Sequence, residues 1–198
     1  MANRRTRRRD PDQKRERIVA AATDLIRERG ADGTKTADIA EAAGVSEGII
    51  YHHFGNKRGL LQAVAARHGH RIASTMFEGI LPGQRPDVAR MIRACFEFSR
   101  ENGKLEDMLM MAKDPALANE TMHSTREVVI AALTQAFVQW RAAGWIETNR
   151  PDIAASLLFG VVSHGIHECV SLRGGEELES YIDEAVACIE GALGYEGH

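Results

Sequence analysis

The chain has 198 residues, 44% of them hydrophobic and 27% charged, and a formal net charge of −3. This composition is that of a globular protein long enough to bury a core, and it excludes a low-complexity or fibrous chain. No apolar run approaches the roughly 18 residues that span a bilayer, so we expect no membrane partner. No apolar segment follows the basic N-terminus, which disfavours a secretory signal and favours a cytoplasmic protein.

Charge is divided unevenly along the chain. Residues 1–60 carry 13 Lys and Arg against 9 Asp and Glu, whereas residues 61–198 carry 12 against 19. Opposite net charges in the two parts indicate that the N-terminal part meets a polyanion. The run "NRRTRRRD" has no apolar residue to pack, and residues 1–12 are predicted to be a disordered basic arm. The arm is either a solubilising tail or a segment that enters a DNA groove.

Helical periodicity recurs throughout the chain and alternating strand patterns stay short, so the predicted fold class is all-α. The first helix has an apolar stripe formed by Ile18, Ala21, Ala22, Leu25 and Ile26. Gly30 is placed to end this helix, because glycine readily adopts the left-handed conformation that closes helices. A short helix follows in "TADIAEAAG", Gly44 makes a tight turn, and Ser46 is a natural N-cap for a second short helix to about Phe54.

Longer helices follow this pair. They are predicted at about 57–80, 86–100, 105–112, 119–143, 151–172 and 177–193. Asn56 is the expected cap of the first, and Pro86 suits the opening turn of the second. The short third helix is expected to stop at Asp114 and Pro115.

Two short helices joined by a glycine turn are typical of a helix-turn-helix, whose second helix lies in the major groove of DNA. The apolar residues that can close a small core between the helices are Ile39, Ala43, Val45 and Ile50. Gly48 has no side chain, which lets the first turn of the second helix approach DNA closely. The hydrogen-bonding groups around it belong to Thr36, Tyr51, His52, His53 and Lys57.

The stretch "RIVAAATDLIRERGADGTKTADIAEAAGVSEGIIYHHFGNKRGLLQAV" resembles the DNA-binding domain of TetR-family transcriptional regulators. The resemblance covers about residues 13–64 without a gap. Its most specific parts are "DIAEAAGVS", then Gly48 and Tyr51 as in G-x-x-Y, and Phe54 and Lys57 as in F-x-x-K. The resemblance implies an N-terminal three-helix helix-turn-helix domain, which we place at residues 13–58. A larger helical ligand-binding and dimerisation domain would follow at residues 59–198.

The resemblance also implies which residues contact DNA. Thr36 would cap the first short helix and touch phosphate, and Lys57 would pair with phosphate at the start of the next helix. Bases or the adjacent backbone would be contacted by Glu47, Gly48, Tyr51 and His52, and phosphates by Tyr51 and His53.

Two positions depart from the family pattern. Ile49 stands where the family often has Thr or Ser, so one phosphate contact is missing or replaced by contact with thymine methyls. Glu47 repels phosphate, but it can accept a hydrogen bond from a cytosine amine. For His52 and His53, solvent-facing polarity and metal ligation stay open beside DNA contact.

The last two predicted helices point to a second copy of the chain. The helix at 151–172 is apolar nearly all round, and the helix at 177–193 has an apolar stripe at three- and four-residue steps. Two such helices from each of two chains would make a four-helix bundle. This agrees with the family, whose members usually dimerise in that way and read palindromic operators. We therefore expect a homodimer on a palindromic double-stranded operator.

The middle helices hold aromatic, methionine and histidine side chains. The resemblance implies a small-molecule pocket there, whose candidate lining residues are Phe96, Met108, Met111, His123, Phe137, Trp140, Phe159, His164 and His167. Such a set favours a small apolar or aromatic effector, although simple core packing is the alternative for each Met or Phe. His164 and His167 beside Glu168 could bind zinc, but no suitably spaced cysteine or carboxylate cluster supports this, so neither metal nor cofactor is predicted.

The three cysteines, Cys95, Cys169 and Cys188, lie in apolar helical contexts and are expected to be buried and reduced. No catalytic residues stand out. The leading hypothesis is a homodimeric cytoplasmic DNA-binding regulator, a repressor released by a small molecule. The alternatives are an all-α carrier or enzyme with an incidental helix-turn-helix, and a regulator that responds to metal or oxidation.

Overall fold

A computed structural model of the chain describes residues 4–81, 83–110 and 113–195, with side chains described for 12–81, 83–103, 105 and 113–195. Within these ranges the chain forms eight α-helices, one π-helix and no strand, which confirms the all-α prediction. The helices are α1 (Arg4–Gly33), α2 (Thr36–Ala43), α3 (Glu47–Phe54), α4 (Lys57–Phe77), α5 (Val88–Met110), α6 (Pro115–Ala142), α7 (Pro151–Ile166), the π-helix (His167–Leu172) and α8 (Leu178–Leu193).

Helix α1 begins at Arg4, within the residues 1–12 for which a disordered basic arm is predicted. Arginine has a high intrinsic helix propensity, so a run of arginines extends a helix that starts further along. Gly30, which was predicted to end the first helix, leaves helical geometry with φ 75° and ψ 166°, and helical residues resume after this kink up to Gly33. The Thr34 hydroxyl donates to the Gly30 carbonyl at 2.7 Å and replaces the helical hydrogen bond lost there.

Helices α5 and α6 also differ from the prediction. Instead of two helices at 86–100 and 105–112, one helix runs from Val88 to Met110. Gly103 lies within this helix and is buried, and a Cβ there would lie 3.7 Å from the Cγ1 of Val170. The next helix begins at Pro115 rather than near residue 119. The Asp114 carboxylate accepts a hydrogen bond from the Ala116 N–H at 3.0 Å and caps it.

The chain forms two compact units. Unit 1 comprises Met1–His68 with Lys104–Thr125, and unit 2 comprises Gly69–Gly103 with Arg126–His198. The division therefore does not fall at the boundary placed after residue 58. Helices α4, α5 and α6 each contribute to both units, and a boundary drawn from local sequence signals cannot divide one helix between two cores.

Unit 1 has its own core beneath α2 and α3. Its most deeply buried side chains are Ile18, Ile26, Ile39, Ile50, Leu60, Leu61, Val64 and Leu105. The guanidinium of Arg58 lies 3.1 Å from the Asp114 carboxylate and 2.8 Å from that of Glu120. The Thr125 hydroxyl donates to the carbonyl of Ala65 at 3.0 Å. These contacts join the first turns of α6 to α4 within unit 1.

Unit 2 has a second core formed by parts of α4 to α6 and by α7, the π-helix and α8. A Cβ on Gly165 would lie 3.3 Å from the Cζ of Phe96, so α7 crosses this ring closely where it has no side chain. The Arg93 guanidinium donates twice to the Glu179 carboxylate, at 2.8 and 2.7 Å, and links α5 to α8. This core encloses Phe96, Ala155, Cys169, Ile182 and Leu193 almost completely.

One segment is apolar over an unusual length. Pro151–Leu172, which joins α7 and the π-helix, has 22 residues, and its most apolar window has a mean hydropathy of 1.4 and is 17% buried. By length and composition it could cross a membrane, so the expectation that no apolar run approaches this length was wrong. The segment has a high mean hydropathy and few charges because most of its polar residues are uncharged Ser and His. A single helix of this kind is weak evidence for a membrane, because helices of soluble proteins have the same composition.

Candidate nucleic-acid interface

The turn between α2 and α3 is built by Gly44. It has φ 65° and ψ 41°, a left-handed conformation that favours glycine, and its N–H donates to the Glu41 carbonyl at 3.1 Å. The Val45 N–H donates to the Ala40 carbonyl at 2.9 Å, which completes the end of α2. Ser46 then has the extended conformation of an N-cap residue, as predicted, although its side chain makes no capping hydrogen bond.

Helix α3 separates a buried side from an exposed one. Ile50 is 0% exposed and anchors the helix in the core of unit 1. Tyr51 is 47% exposed, and Glu47, Gly48 and His52 are exposed as well. Because one buried residue fixes the orientation of the helix, the polar groups of its first two turns are held toward solvent. Four of the predicted DNA contacts therefore share the exposed side of α3.

The last turn of α3 is more enclosed. His53 and Phe54 are half-buried, and the rings of His52 and His53 lie 5.5 Å apart in an edge arrangement. The guanidinium carbon of Arg15 lies 5.4 Å from the centre of the Phe54 ring, a cation–π contact from α1. His53 therefore presents less of its ring to solvent than His52 does.

Thr36 lies beside the exposed side of α3. Its hydroxyl donates to a carboxylate oxygen of Glu47 at 2.7 Å, and the hydroxyl oxygen of Tyr51 lies 3.4 Å from that of Thr36. Three of the residues predicted to contact DNA are thus hydrogen-bonded to one another across the two helices. The family resemblance predicts all three residues for one interface but not their mutual hydrogen bonds, because Thr36 and Glu47 lie on different helices.

The start of α4 completes this surface. The Asn56 side chain accepts a hydrogen bond from the Gly59 N–H at 2.9 Å, which confirms its predicted role as the cap. Lys57 is the first residue of α4 and is half-buried. The unpaired N–H groups of a first helical turn favour anions, and a lysine there adds a positive charge. The Arg58 side chain is instead held by ion pairs within unit 1, a role that sequence reasoning missed.

Glycine stands at two positions on this surface, 48 and 59, for different physical reasons. A Cβ on Gly59 would overlap the carbonyl oxygen of Phe54, so the start of α4 requires glycine for its own packing. A Cβ on Gly48 would meet nothing nearer than the Ser46 hydroxyl oxygen at 3.8 Å. The fold therefore explains Gly59, which sequence reasoning did not single out, but it does not require Gly48. Close approach by a partner such as DNA is a reason for glycine at position 48.

The predicted effector residues that the structure describes are divided between the two units. Phe96, Phe137 and Trp140 are buried in the core of unit 2, where the Phe137 and Trp140 rings lie 5.5 Å apart. Phe159 is half-buried against that core. His123 belongs to unit 1 and is exposed. The side chain of Met108 and the whole of Met111 lie outside the described residues.

The candidate metal and thiol groups are dispersed. His164 and His167 are exposed on α7 and the π-helix, and the described residues contain no group of three or more potential metal ligands. Cys95 and Cys169 are buried as expected, and burial raises the pKa of the Cys169 thiol, which makes it less reactive. Cys188 is exposed, contrary to expectation, because it lies on the side of α8 that carries the exposed Glu184 and Ala192.

A glycine turn followed by a helix with one anchored and one exposed polar side defines a helix-turn-helix DNA-binding protein. Comparison with known proteins identifies the family. The family model for bacterial regulatory proteins of the tetR family matches residues 18–64. Residues 18–64 therefore form a DNA-binding domain of the kind found in TetR-family transcriptional regulators.

Individual relatives agree with this family. The chain is 28% identical over 163 residues to the uncharacterized HTH-type transcriptional regulator YvkB of Bacillus subtilis, with 76% of this chain and 82% of that protein covered. It is 48% identical over 48 residues to the class A tetracycline repressor from transposon 1721 of Escherichia coli, with 24% of this chain and 22% of the repressor covered. A solved structure from Mesorhizobium loti, assigned to the TetR family, has a TM-score of 0.66 and 26% identity, with 92% of this chain and 98% of that chain covered.

Proposed function

We propose that this regulator is a cytoplasmic repressor that binds a palindromic operator as a homodimer and is released by a small apolar or aromatic molecule. The observation that carries the DNA-binding part is the exposed side of α3, where Glu47, Gly48, Tyr51 and His52 lie together while Ile50 is fully buried. Major-groove recognition needs such a helix, because base edges there are read by hydrogen-bonding side chains. The name of the tetracycline repressor supports the sign of regulation.

The test of DNA binding is selection of random duplexes by the purified protein at several salt concentrations. A palindromic site should be enriched, and the logarithm of its association constant should fall linearly with the logarithm of the salt concentration as counterions are released. Failure to enrich any sequence at low salt would contradict the proposal and favour a carrier of apolar ligands.

The homodimer is supported by one side of α7. Ile153, Leu157 and Val161 are 46%, 66% and 39% exposed, and their four-residue spacing places them on one stripe. Exposed apolar stripes of this kind are typical of protein interfaces, because their burial removes apolar surface from water. A second copy covers the stripe with its own equivalent in a two-fold arrangement. Sedimentation equilibrium measures the mass, and a monomer at micromolar concentration would contradict this part of the proposal.

A homodimer accounts for the palindromic operator. Two copies of α3 related by a two-fold axis enter successive major grooves when their centres lie about 34–36 Å apart, one turn of B-form DNA. The half-sites recovered by selection should then repeat with inverted symmetry at that spacing or a multiple of it. Enrichment of a single asymmetric half-site would separate DNA binding from dimerisation.

The effector is proposed to bind in unit 2. The core there combines Phe96, Phe137 and Trp140 with the flexible side chains of Met76 and Met91, and methionine-rich cores repack readily around apolar guests. An effector needs only to favour the protein conformation that binds the operator poorly. A panel of aromatic compounds should include some that change the fluorescence of Trp140 and weaken operator binding. Compounds that change neither property would count against an apolar effector.

A further inference from the structure

The contacts of Glu47 indicate how the base sequence of the operator is recognised, an inference that rests on the proposed operator binding. The Glu47 carboxylate accepts the Thr36 hydroxyl hydrogen at 2.7 Å. A hydroxyl has one hydrogen to donate and two lone pairs that accept. Since Thr36 donates to Glu47, the Tyr51 hydroxyl is the donor in its longer contact of 3.4 Å with Thr36. The hydrogen bonds therefore run from Tyr51 through Thr36 to Glu47.

The hydroxyl groups that would contact DNA phosphates are already engaged in hydrogen bonds within the protein. Thr36 and Tyr51 are both predicted to donate to phosphate, and phosphate contacts position a helix-turn-helix on the duplex. In the structure the Thr36 hydroxyl instead donates to the Glu47 carboxylate, and the Tyr51 hydroxyl lies 3.4 Å from that of Thr36. A phosphate that approaches either hydroxyl meets the negative charge of Glu47, which repels it. Contact with the backbone therefore requires that Glu47 first turns away from Thr36.

We propose that Glu47 is a specificity-determining residue that releases Thr36 and Tyr51 to phosphate only when a cytosine lies opposite it. In the major groove, cytosine presents the N4 amine as a donor at the outer end of the base-pair edge, with no acceptor on the cytosine itself, and a carboxylate accepts from it. Adenine also has an amine, but its N7 acceptor beside that amine repels a carboxylate, and guanine and thymine present acceptors. On those bases Glu47 keeps its hydrogen bond to Thr36.

The surrounding residues permit this exchange. Glu47 lies in the first turn of α3, is exposed, and its neighbour Gly48 has no side chain to block its rotation. Thr36 lies at the first position of α2, where its half-buried side chain donates to Glu47. Recognition of the cytosine by Glu47 and contact of Thr36 and Tyr51 with the DNA phosphates thus occur together. Glu47 lowers binding to unrelated DNA as well as favouring the operator.

The experiment uses full-length protein, the duplex enriched by selection, and an unrelated duplex of the same length. Glu47→Gln removes the charge while keeping the size and an oxygen that accepts from Thr36. The variant should bind the unrelated duplex more tightly than wild type. For wild type, replacing the cytosine·guanine pair opposite Glu47 by thymine·adenine should weaken binding about 5- to 150-fold. For Glu47→Gln the same replacement should change binding by less than about 3-fold.

Thr36→Val supplies a readout that a merely structural role would not change. In wild type it should weaken binding to the cytosine duplex and leave binding to the thymine duplex unchanged, because Thr36 is free to contact phosphate only on the former. In the Glu47→Gln background it should weaken both. Circular dichroism should show equal helicity for all variants, since the three side chains lie at the surface.

The outcomes separate this inference from the function on which it rests. A protein that enriches no duplex contradicts operator binding itself and the inference with it. A protein that enriches an operator but shows equal discrimination with Glu or Gln at position 47 overturns the inference alone. Equal effects of Thr36→Val on the two duplexes in wild type would overturn it as well, because release would then not depend on the base.

Discussion

Helices α3 and α7 both have an exposed side, but the chemistry of the two sides differs. On α3 the exposed groups are polar, and Thr36, Glu47 and Tyr51 lie within hydrogen-bonding reach of one another. On α7 the exposed stripe of Ile153, Leu157 and Val161 has no directional groups. Polar geometry restricts the class of partner, because donors and acceptors must match in position. Apolar surface indicates that a partner exists and says little about its identity.

The largest expected effect tests the polar side. Replacing Tyr51 and Lys57 together with alanine removes two proposed phosphate contacts, each worth about 1.5–3 kcal/mol as a hydrogen bond to a charged group. Specific DNA affinity should fall at least about 100-fold, while the dimer mass and the helicity stay the same. Fluorescence anisotropy with the selected operator measures the affinity. His123→Ala, an exposed histidine on α6 in unit 1, is the matched control and should bind normally.

Retained operator binding by the double variant would show that the exposed side of α3 is not the interface. Helix α3 would then be a solvated helix without a role in DNA binding.

The apolar side of α7 is tested by Leu157→Glu. Burying a leucine contributes about 1.5–3 kcal/mol, and a two-fold dimer loses two of them while gaining two charges in an apolar interface. The dimer dissociation constant should rise at least about 1000-fold, as measured by sedimentation. Leu81→Glu is the control, because Leu81 is 60% exposed in a loop and similar in exposure to Leu157 at 66%.

A Leu157→Glu variant that stays dimeric would place the interface elsewhere on the chain. A variant that becomes monomeric should also lose most operator affinity while its α3 surface is unchanged, which would show that the two helices act through the dimer.

Parts of the molecule that depend on nearby residues were predictable from the sequence. Gly30, Gly44 and Asn56 act within a few residues, through a left-handed backbone or a side-chain cap, and all three positions were anticipated. The family resemblance supplied the roles of the α3 residues. Features that depend on distant residues were missed. The Arg58 partner Asp114 lies 56 positions away, and Gly103 stays helical beside Val170.

Alanine substitutions of the two glycines near α3 distinguish a role in packing from a role in DNA recognition. Gly59→Ala would force its Cβ onto the Phe54 carbonyl oxygen, and overpacking of this kind destabilises by about 1–3 kcal/mol. Gly48→Ala meets no close atom and should stabilise α3 by up to about 1 kcal/mol, because alanine has the higher helix propensity. The thermal unfolding temperature should therefore fall for Gly59→Ala and rise for Gly48→Ala. The DNA affinity of Gly48→Ala should fall.

If Gly48→Ala bound the operator as tightly as wild type, close approach of DNA at this position would be wrong. If Gly59→Ala unfolded at the temperature of wild type, the start of α4 would have room that the structure does not show.

The smallest expected effect lies at the start of α7. Hydrogen bonds from Arg150, at 3.0 and 2.7 Å, hold the pKa of Asp152 at about 2, below its ordinary value of 3.8. Because the folded-state pKa is lowered, the stabilisation from this pair is complete above the unfolded pKa and is lost as the pH falls from about 4 to about 2. Both side chains are exposed, so the contribution to stability is small and decreases with salt. A carbon-detected NMR titration of the Asp152 carboxyl measures the pKa, with Arg150→Ala as the comparison. The pKa should return toward its ordinary value in that variant. An unchanged pKa would mean that the N-terminus of α7 itself, rather than Arg150, stabilises the carboxylate.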